Sequence, residues 1–267
     1  MSAATGTALF CNGEQADAAT LRAALVNYGH FTSLQVRGNA VQGLDLHLQR
    51  LAHATQVLFG GVLDEGQVQR WMAQALQHAG VADASLRVTV FSRAFDFRAP
   101  LATVAVDVLV AVSAPVRLSA PRAVCSVRYQ RELPALKHVG TFGLFQQRRE
   151  AMSAGFDDAL FLNEEGLVSE GSTWNLALHD GRQLVWPQAP ALRGTAETLL
   201  RQHWNGPQVA KPVGVAELDE VQAAFACNAS GIWPLVAIDG RALAGSEALA
   251  GQGRAVMAAV PWQPLQA

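Results

Sequence analysis

Lysine is nearly absent from this chain. Only two of its 20 basic residues are lysines, Lys137 and Lys211, so any chemistry that needs a primary amine has two candidates. Cysteine is scarce as well. Cys11, Cys125 and Cys227 lie far apart with no C-x-x-C pair. That spacing excludes a disulfide framework and a cysteine-rich zinc site, and it fits a reducing compartment. No metal site is expected. Strong charge of either sign is missing too. The formal charge is −2 and the isoelectric point is near 6.4, so nucleic acid is not an expected partner. No apolar run is long enough to cross a bilayer, and the start MSAATGTALF lacks a basic segment followed by an apolar one. A soluble cytoplasmic protein is expected. What the chain has in quantity is apolar residue: 50% of 267 residues, enough for a sizeable core.

Apolar periodicity divides the chain into two parts. Residues 28–37 alternate as a strand and end at a Gly38-Asn39 turn. Leu44, Leu48, Leu51, Thr55 and Leu58 share one face of a helix over 44–59, which Gly60-Gly61 stops. A second helix is expected over 64–79, then strands at 86–91 and 103–112. Residues 113–121, SAPVRLSAP, hold two prolines and read as a linker. Beyond it, strands are expected at 122–129, 158–163, 167–170, 173–179, 183–186, 222–227 and 233–238. Helices are expected at 141–155, after Gly194, and at 247–259. The reading is α+β: a small N-terminal domain over 1–113, a linker over 114–121, and a larger, mainly β domain over 122–267.

The chemistry concentrates in 136–178, LKHVGTFGLFQQRREAMSAGFDDALFLNEEGLVSEGSTWNLAL. Lys137 sits in a mostly apolar stretch just before a helix. A lysine desolvated in such a place loses its proton more easily and can form a Schiff base. Next come Ala151-Met-Ser-Ala-Gly155-Phe-Asp-Asp-Ala159 and Gly166-Leu-Val-Ser-Glu170-Gly-Ser-Thr-Trp-Asn175. Upstream is His47-Leu-Gln-Arg50, and downstream are Leu192-Arg-Gly194-Thr-Ala-Glu197 and Cys227-Asn-Ala-Ser-Gly-Ile-Trp-Pro234.

In order and spacing these elements resemble the class IV aminotransferases, a family with the pattern lysine, A-x-x-x-G-x-D-D/E-A, G-x-V-x-E-x-x-x-x-N. The resemblance runs over residues 27 to 240. It implies a fold-type IV architecture: a small α/β N-terminal domain and a larger C-terminal domain with a β-barrel-like core. It implies pyridoxal 5′-phosphate as cofactor, joined to Lys137 as a Schiff base, with Glu170 at the pyridinium nitrogen. Arg50 resembles the family's phosphate-binding arginine, and His47 is read as structural. Thr195, Ala196, Cys227, Asn228 and Asn175 fall at positions that frame the phosphate. The family's L-x-G-I-T-R turn is altered here, with Ala196 at the threonine position and Glu197 at the arginine position. Backbone amides at a helix N-terminus hold phosphate without any particular side chain.

The resemblance also implies small amino acid and 2-oxo acid substrates, and a homodimer. Tyr28, Phe31, Thr32, Arg93 and Arg98 are the candidate substrate contacts, the two arginines for a carboxylate. Three activities stay open. Amino-group transfer leads because it is the family's commoner activity. Elimination from 4-amino-4-deoxychorismate is the alternative, because Phe31-Thr32-Ser33 resembles the Phe-Thr-Thr of some such lyases and a threonine hydroxyl could guide a leaving group. Phe142 and Gly140 stand where branched-chain enzymes often carry tyrosine and asparagine. A protein that binds the cofactor without turnover is the third reading, disfavoured because Lys137 and Glu170 are both present.

Overall fold

The computed structural model describes residues 8–266. Residues 1–7, which open the first expected domain, lie outside that range. By their contacts, residues 8–116, 136–140 and 261–266 form one unit, and residues 117–135 and 141–260 form another. The chain passes from the first unit to the second after residue 116 and returns to the first over 136–140 and again after residue 260.

The first unit is a seven-stranded sheet with its two long helices on one face. Its strands are β1 (Ala8–Cys11), β2 (Glu14–Gln15), β3 (His30–Arg37), β4 (Ala40–Gln42), β5 (Ala84–Phe91), β6 (Asp107–Ser113) and, from the chain's end, β16 (Trp262–Pro264). The order is β16-β4-β3-β5-β6-β1-β2, and every pair is antiparallel. The helices are α1 (Ala18–Ala24), α2 (Leu44–Phe59) and α3 (Glu65–Ala79).

Alternation decides which face is buried. Leu34 and Val36 of β3, Leu86, Val88 and Val90 of β5, and Val108 and Val110 of β6 pack against Leu48 and Leu51 of α2 and Val68, Met72 and Leu76 of α3. Helix ends are set locally. The Asp64 carboxylate accepts from the Gln67 amide at 2.9 Å and starts α3 one residue later than its periodicity suggests. Gly60 and Gly80 end α2 and α3 in the left-handed region, at φ +66°. At the start of α2 the Leu44 amide donates to the Gln263 side chain at 2.6 Å, so the chain's end caps a helix near its beginning.

The second unit holds β7 (Arg122–Arg128), α4 (Phe142–Ser153), β8 (Asp158–Leu162), β9 (Val168–Gly171), β10 (Asn175–His179), β11 (Leu184–Pro187), α5 (Thr195–His203), β12 (Gln208–Lys211), β13 (Ala223–Asn228), β14 (Gly231–Ile238), β15 (Arg241–Ala242) and α6 (Ser246–Ala259). The strands run β12-β11-β10-β13-β14-β7-β8-β9 in a curled, half-barrel sheet, with β15 paired to β14. Several of its strands are buried on both faces. β8, β11 and β13 are buried over nearly their whole lengths, and Trp174, Trp186, Trp233, Phe161 and Phe225 fill the space around them. Among the described residues, no helix is long and apolar enough to cross a membrane.

Candidate active site

Lys137 belongs by its contacts to the first unit. The Phe31 amide donates to the Lys137 carbonyl at 2.8 Å, and the Val139 amide donates to the Gly29 carbonyl at 2.9 Å. His30 and His138 form an antiparallel bridge between these segments. Residues 136–140 thus lie along the start of β3, and the lysine is fixed by main-chain bonds. Its Nζ is 4.9 Å from the centre of the Phe31 ring. The same ring takes a second cation: the Arg87 guanidinium carbon is 3.4 Å from its centre. Register explains this meeting. Phe31 pairs with Thr89 and Ser33 with Arg87, so Phe31 and Arg87 are diagonal neighbours on the sheet face away from α2 and α3.

The opposite face of β3 is closed. The Thr32 hydroxyl lies 2.6 Å from His47 Nδ1, and His30 Nε2 lies 3.0 Å from the Thr55 hydroxyl. All four residues are buried. Burial lowers the pKa of His47 to about 3, with the Arg50 and Lys137 charges adding to the effect. Burial alone lowers that of His30 to about 4. Both rings are therefore neutral at physiological pH. Arg50, one turn beyond His47 on α2, is half-buried.

The three other expected substrate contacts have neighbours of their own within the first unit. Tyr28 stacks on Phe95 at 4.2 Å, and its hydroxyl donates to the Leu58 carbonyl at 3.2 Å. Arg93 gives both Nε and Nη2 to Asp107, at 3.1 and 2.7 Å. Arg98 is exposed, 3.8 Å from Asp96, with its guanidinium over Phe97. Arg87 escaped the sequence reading, although a signal was there: it is the charged residue in the outward phase of a strand whose inward phase is Leu86, Val88 and Val90.

In the second unit Glu170 lies on β9 and is buried, beside buried Arg131 at 3.7 Å. The end of β9 is held by buried Asp158, which accepts from the Ser172 hydroxyl at 2.6 Å and from Arg122 at 3.0 Å. Asn175, at the start of β10, reaches the turn before α5. Its Nδ2 donates to the Leu192 carbonyl at 2.7 Å and its Oδ1 accepts from the Gly194 amide at 3.1 Å. It shapes the turn through the backbone.

That turn suits a phosphate. α5 starts at Gly194 with no side-chain cap, so its first amides, those of Thr195 and Ala196, are donors at a helix N-terminus. The Ala196 side chain is packed in the core, so only its backbone can serve. Glu197 is buried and paired with Arg193, which precedes the helix, at 2.9 Å and with Arg201, one turn on, at 3.5 Å. The Asn228 Nδ2 donates to the Thr173 carbonyl at 3.2 Å, and its Oδ1 accepts from the Ser230 amide at 2.8 Å. Cys227 is fully buried in the core, and burial pushes its thiol well above the ordinary range, so its side chain is closed to a ligand. Among the described residues no cluster of histidine, cysteine, aspartate or glutamate could hold a metal ion.

Solved structures share this fold. A branched-chain aminotransferase from the archaeon Thermoproteus uzoniensis, solved with norvaline, is 20% identical with a TM-score of 0.84, over 98% of this chain and 100% of that one. A hypothetical aminotransferase from Mycobacterium tuberculosis in its PLP-bound form is 20% identical with a TM-score of 0.77, over 95% and 98% of the two chains. A candidate 4-amino-4-deoxychorismate lyase from Legionella pneumophila is 20% identical with a TM-score of 0.73, over 82% and 86%. No curated protein matches the chain. The fold is that of the fold-type IV enzymes. The family model for amino-transferase class IV matches residues 29–238, more than half of the sequence. The chain belongs to the class IV aminotransferases, a family of enzymes that work with pyridoxal 5′-phosphate.

Proposed function

We propose that this chain transfers an amino group between an amino acid or amine and a 2-oxo acid, with pyridoxal 5′-phosphate carried by Lys137. The observation that carries the reading is the meeting of Lys137 and Arg87 at the Phe31 ring. It joins an amine to a cation suited to a carboxylate, the group that amino acids and 2-oxo acids share. When bound, the cofactor supplies an electron sink for charge developing at the substrate Cα.

The remaining work falls to side chains and amides. Lys137 Nζ moves the proton that leaves Cα. Neutral His47 adds no further positive charge beside Lys137 and Arg50. Glu170 holds a proton on the ring nitrogen by its negative charge. Arg50 and the amides of Thr195 and Ala196 hold the phosphate, and Asn175 and Asn228 fix the backbone around it. Arg87 takes the substrate carboxylate.

The competing elimination reading asks for a free hydroxyl at Thr32. That hydroxyl is bonded to His47 on the buried face of β3, which weighs for transfer. The test is a panel of amino donors with pyruvate and 2-oxoglutarate, beside 4-amino-4-deoxychorismate. Turnover that requires a 2-oxo acid is the expected result. Pyruvate released from aminodeoxychorismate without an acceptor would make the chain a lyase. A homodimer is part of the same proposal, to be read by light scattering.

A further inference from the structure

Arg131 is a buried cation aimed at a buried acid. It is 5% exposed and Glu170 is 7% exposed. Its Nη2 is anchored on the Pro134 carbonyl at 2.7 Å. Its Nε is buried, makes no hydrogen bond, and stands 3.7 Å from Glu170 Oε1. The placement is not that of a tight fork, in which two N–H groups would occupy both carboxylate oxygens. At 3.7 Å the interaction is charge on charge, beyond hydrogen-bond range.

We infer that Arg131 is a positioning residue that keeps Glu170 ionised. This inference rests on the reading of Glu170 as the partner of the ring nitrogen. A carboxylate this deeply buried tends to take up a proton unless a charge opposes it, and a protonated acid has no charge with which to hold a proton on another ring. A guanidinium is never deprotonated in a protein, so it is a permanent counter-charge. Its stand-off keeps Glu170 charged without a direct hydrogen bond from Nε to the carboxylate. The Pro134 carbonyl fixes the distance by holding the far end of the fork.

The test uses the full chain freed of cofactor and read by infrared difference spectroscopy at pH 6. Subtracting the Glu170→Gln spectrum assigns the Glu170 band. The parent protein should show an ionised carboxylate. Arg131→Met should replace it by the band of the protonated acid, and Arg131→Lys should restore the ionised band. In the loaded enzyme Arg131→Met should lower kcat on the order of tenfold or more, the lower end of what a placed electrostatic group contributes. A folded Arg131→Met protein that keeps the ionised band overturns the inference. Should Arg131→Met not fold, the double variant with Glu170→Gln removes the stranded charge and should fold; a double variant as unstable as the single one also overturns it. Failure of the underlying reading looks different: Glu170→Gln would leave kcat unchanged, whatever Arg131 does to the band.

Discussion

Asn175 and Gly194 are locked together: the Asn175 Oδ1 accepts the Gly194 amide at 3.1 Å, and a Cβ on residue 194 would collide with that oxygen. The glycine is needed for close approach, since its φ of −68° is open to any residue. Gly194→Ala must push Asn175 aside and move the first amides of α5. Overpacking of this kind costs about 1–3 kcal/mol. Cofactor affinity should fall by roughly one to two decades if that cost is borne in binding. Equilibrium dialysis against pyridoxal 5′-phosphate measures it, and a melt of the cofactor-free protein shows how much is lost from the fold instead.

The two lysines should separate cleanly. Lys211 lies on exposed strand β12, paired with Glu217 at 2.8 Å. Lys137→Ala should abolish the visible absorbance of bound cofactor and the activity. Lys211→Ala should leave both near the parent level. Borohydride reduction followed by peptide mapping reads the attachment directly, and a label on Lys211 would refute the assignment.

The arginines of the first unit should divide by partner. Arg87→Met should raise KM for the 2-oxo acid about tenfold or more, the scale of a lost charge-assisted contact. Arg93 is spent on Asp107 and Arg98 is exposed, so alanine at either position should change KM little. Steady-state kinetics on the three variants decides. A larger effect at Arg93 than at Arg87 would move the substrate carboxylate to the other end of β5.

Acid should destabilise the protein from a known place. His47 and His30 have folded pKa values of about 3 and about 4, below the ordinary 6.5 of the unfolded chain. The unfolded state therefore binds protons that the folded state refuses. Their contribution is full above pH 6.5 and is lost as the pH falls toward the folded values. In that window each neutral histidine costs about 1.4 kcal/mol per pH unit. Denaturant melts between pH 7.5 and 4.5 measure the slope. His47→Gln should flatten it, and an unchanged slope would show that the ring is not buried neutral.

Arg50→Ala should weaken cofactor retention by about one to two decades, the value of a charge-assisted hydrogen bond of roughly 1.5–3 kcal/mol. Thr195→Ala should cost less, because a helix N-terminus keeps its amides when one hydroxyl is lost. Dialysis of the two variants gives the order. Equal binding by Arg50→Ala and the parent would leave Arg50 a helix-surface arginine.

Legibility in the sequence followed period and length. α2 and α3 were readable because Leu44, Leu48 and Leu51, and likewise Val68, Met72 and Leu76, repeat at helical spacing between caps. The strand expected over 103–112 begins only at Asp107, because Val104 donates to the Phe59 carbonyl at the end of α2 and so follows the helix rather than the sheet. β4, β15 and β16 are two or three residues long, too short to carry an alternation; tight hairpins with β3 and β14 hold the first two, and β16 pairs with β4 from the far end of the sequence. Lys137, Glu170 and Asn175 were legible through motif spacing. Arg131 was not, since its partner is reached only when β9 lies beside the segment after β7. Thr32 shows its type in the sequence, but that its hydroxyl meets His47 is visible only once β3 lies against α2.

The return of residues 136–140 and 261–266 to the first unit has a kinetic consequence. Leu44 and Gln263 are 219 positions apart, and the Phe31–Lys137 main-chain bond closes a loop of about a hundred residues. Contacts of such high order form slowly, so the amine of Lys137 reaches its station late in folding. A nascent chain that has made only residues 1–116 exposes β3 and β4 without the segments that line them. Unpaired strand edges recruit other chains, so the first half of this protein depends on the completion of the second to stay out of aggregates.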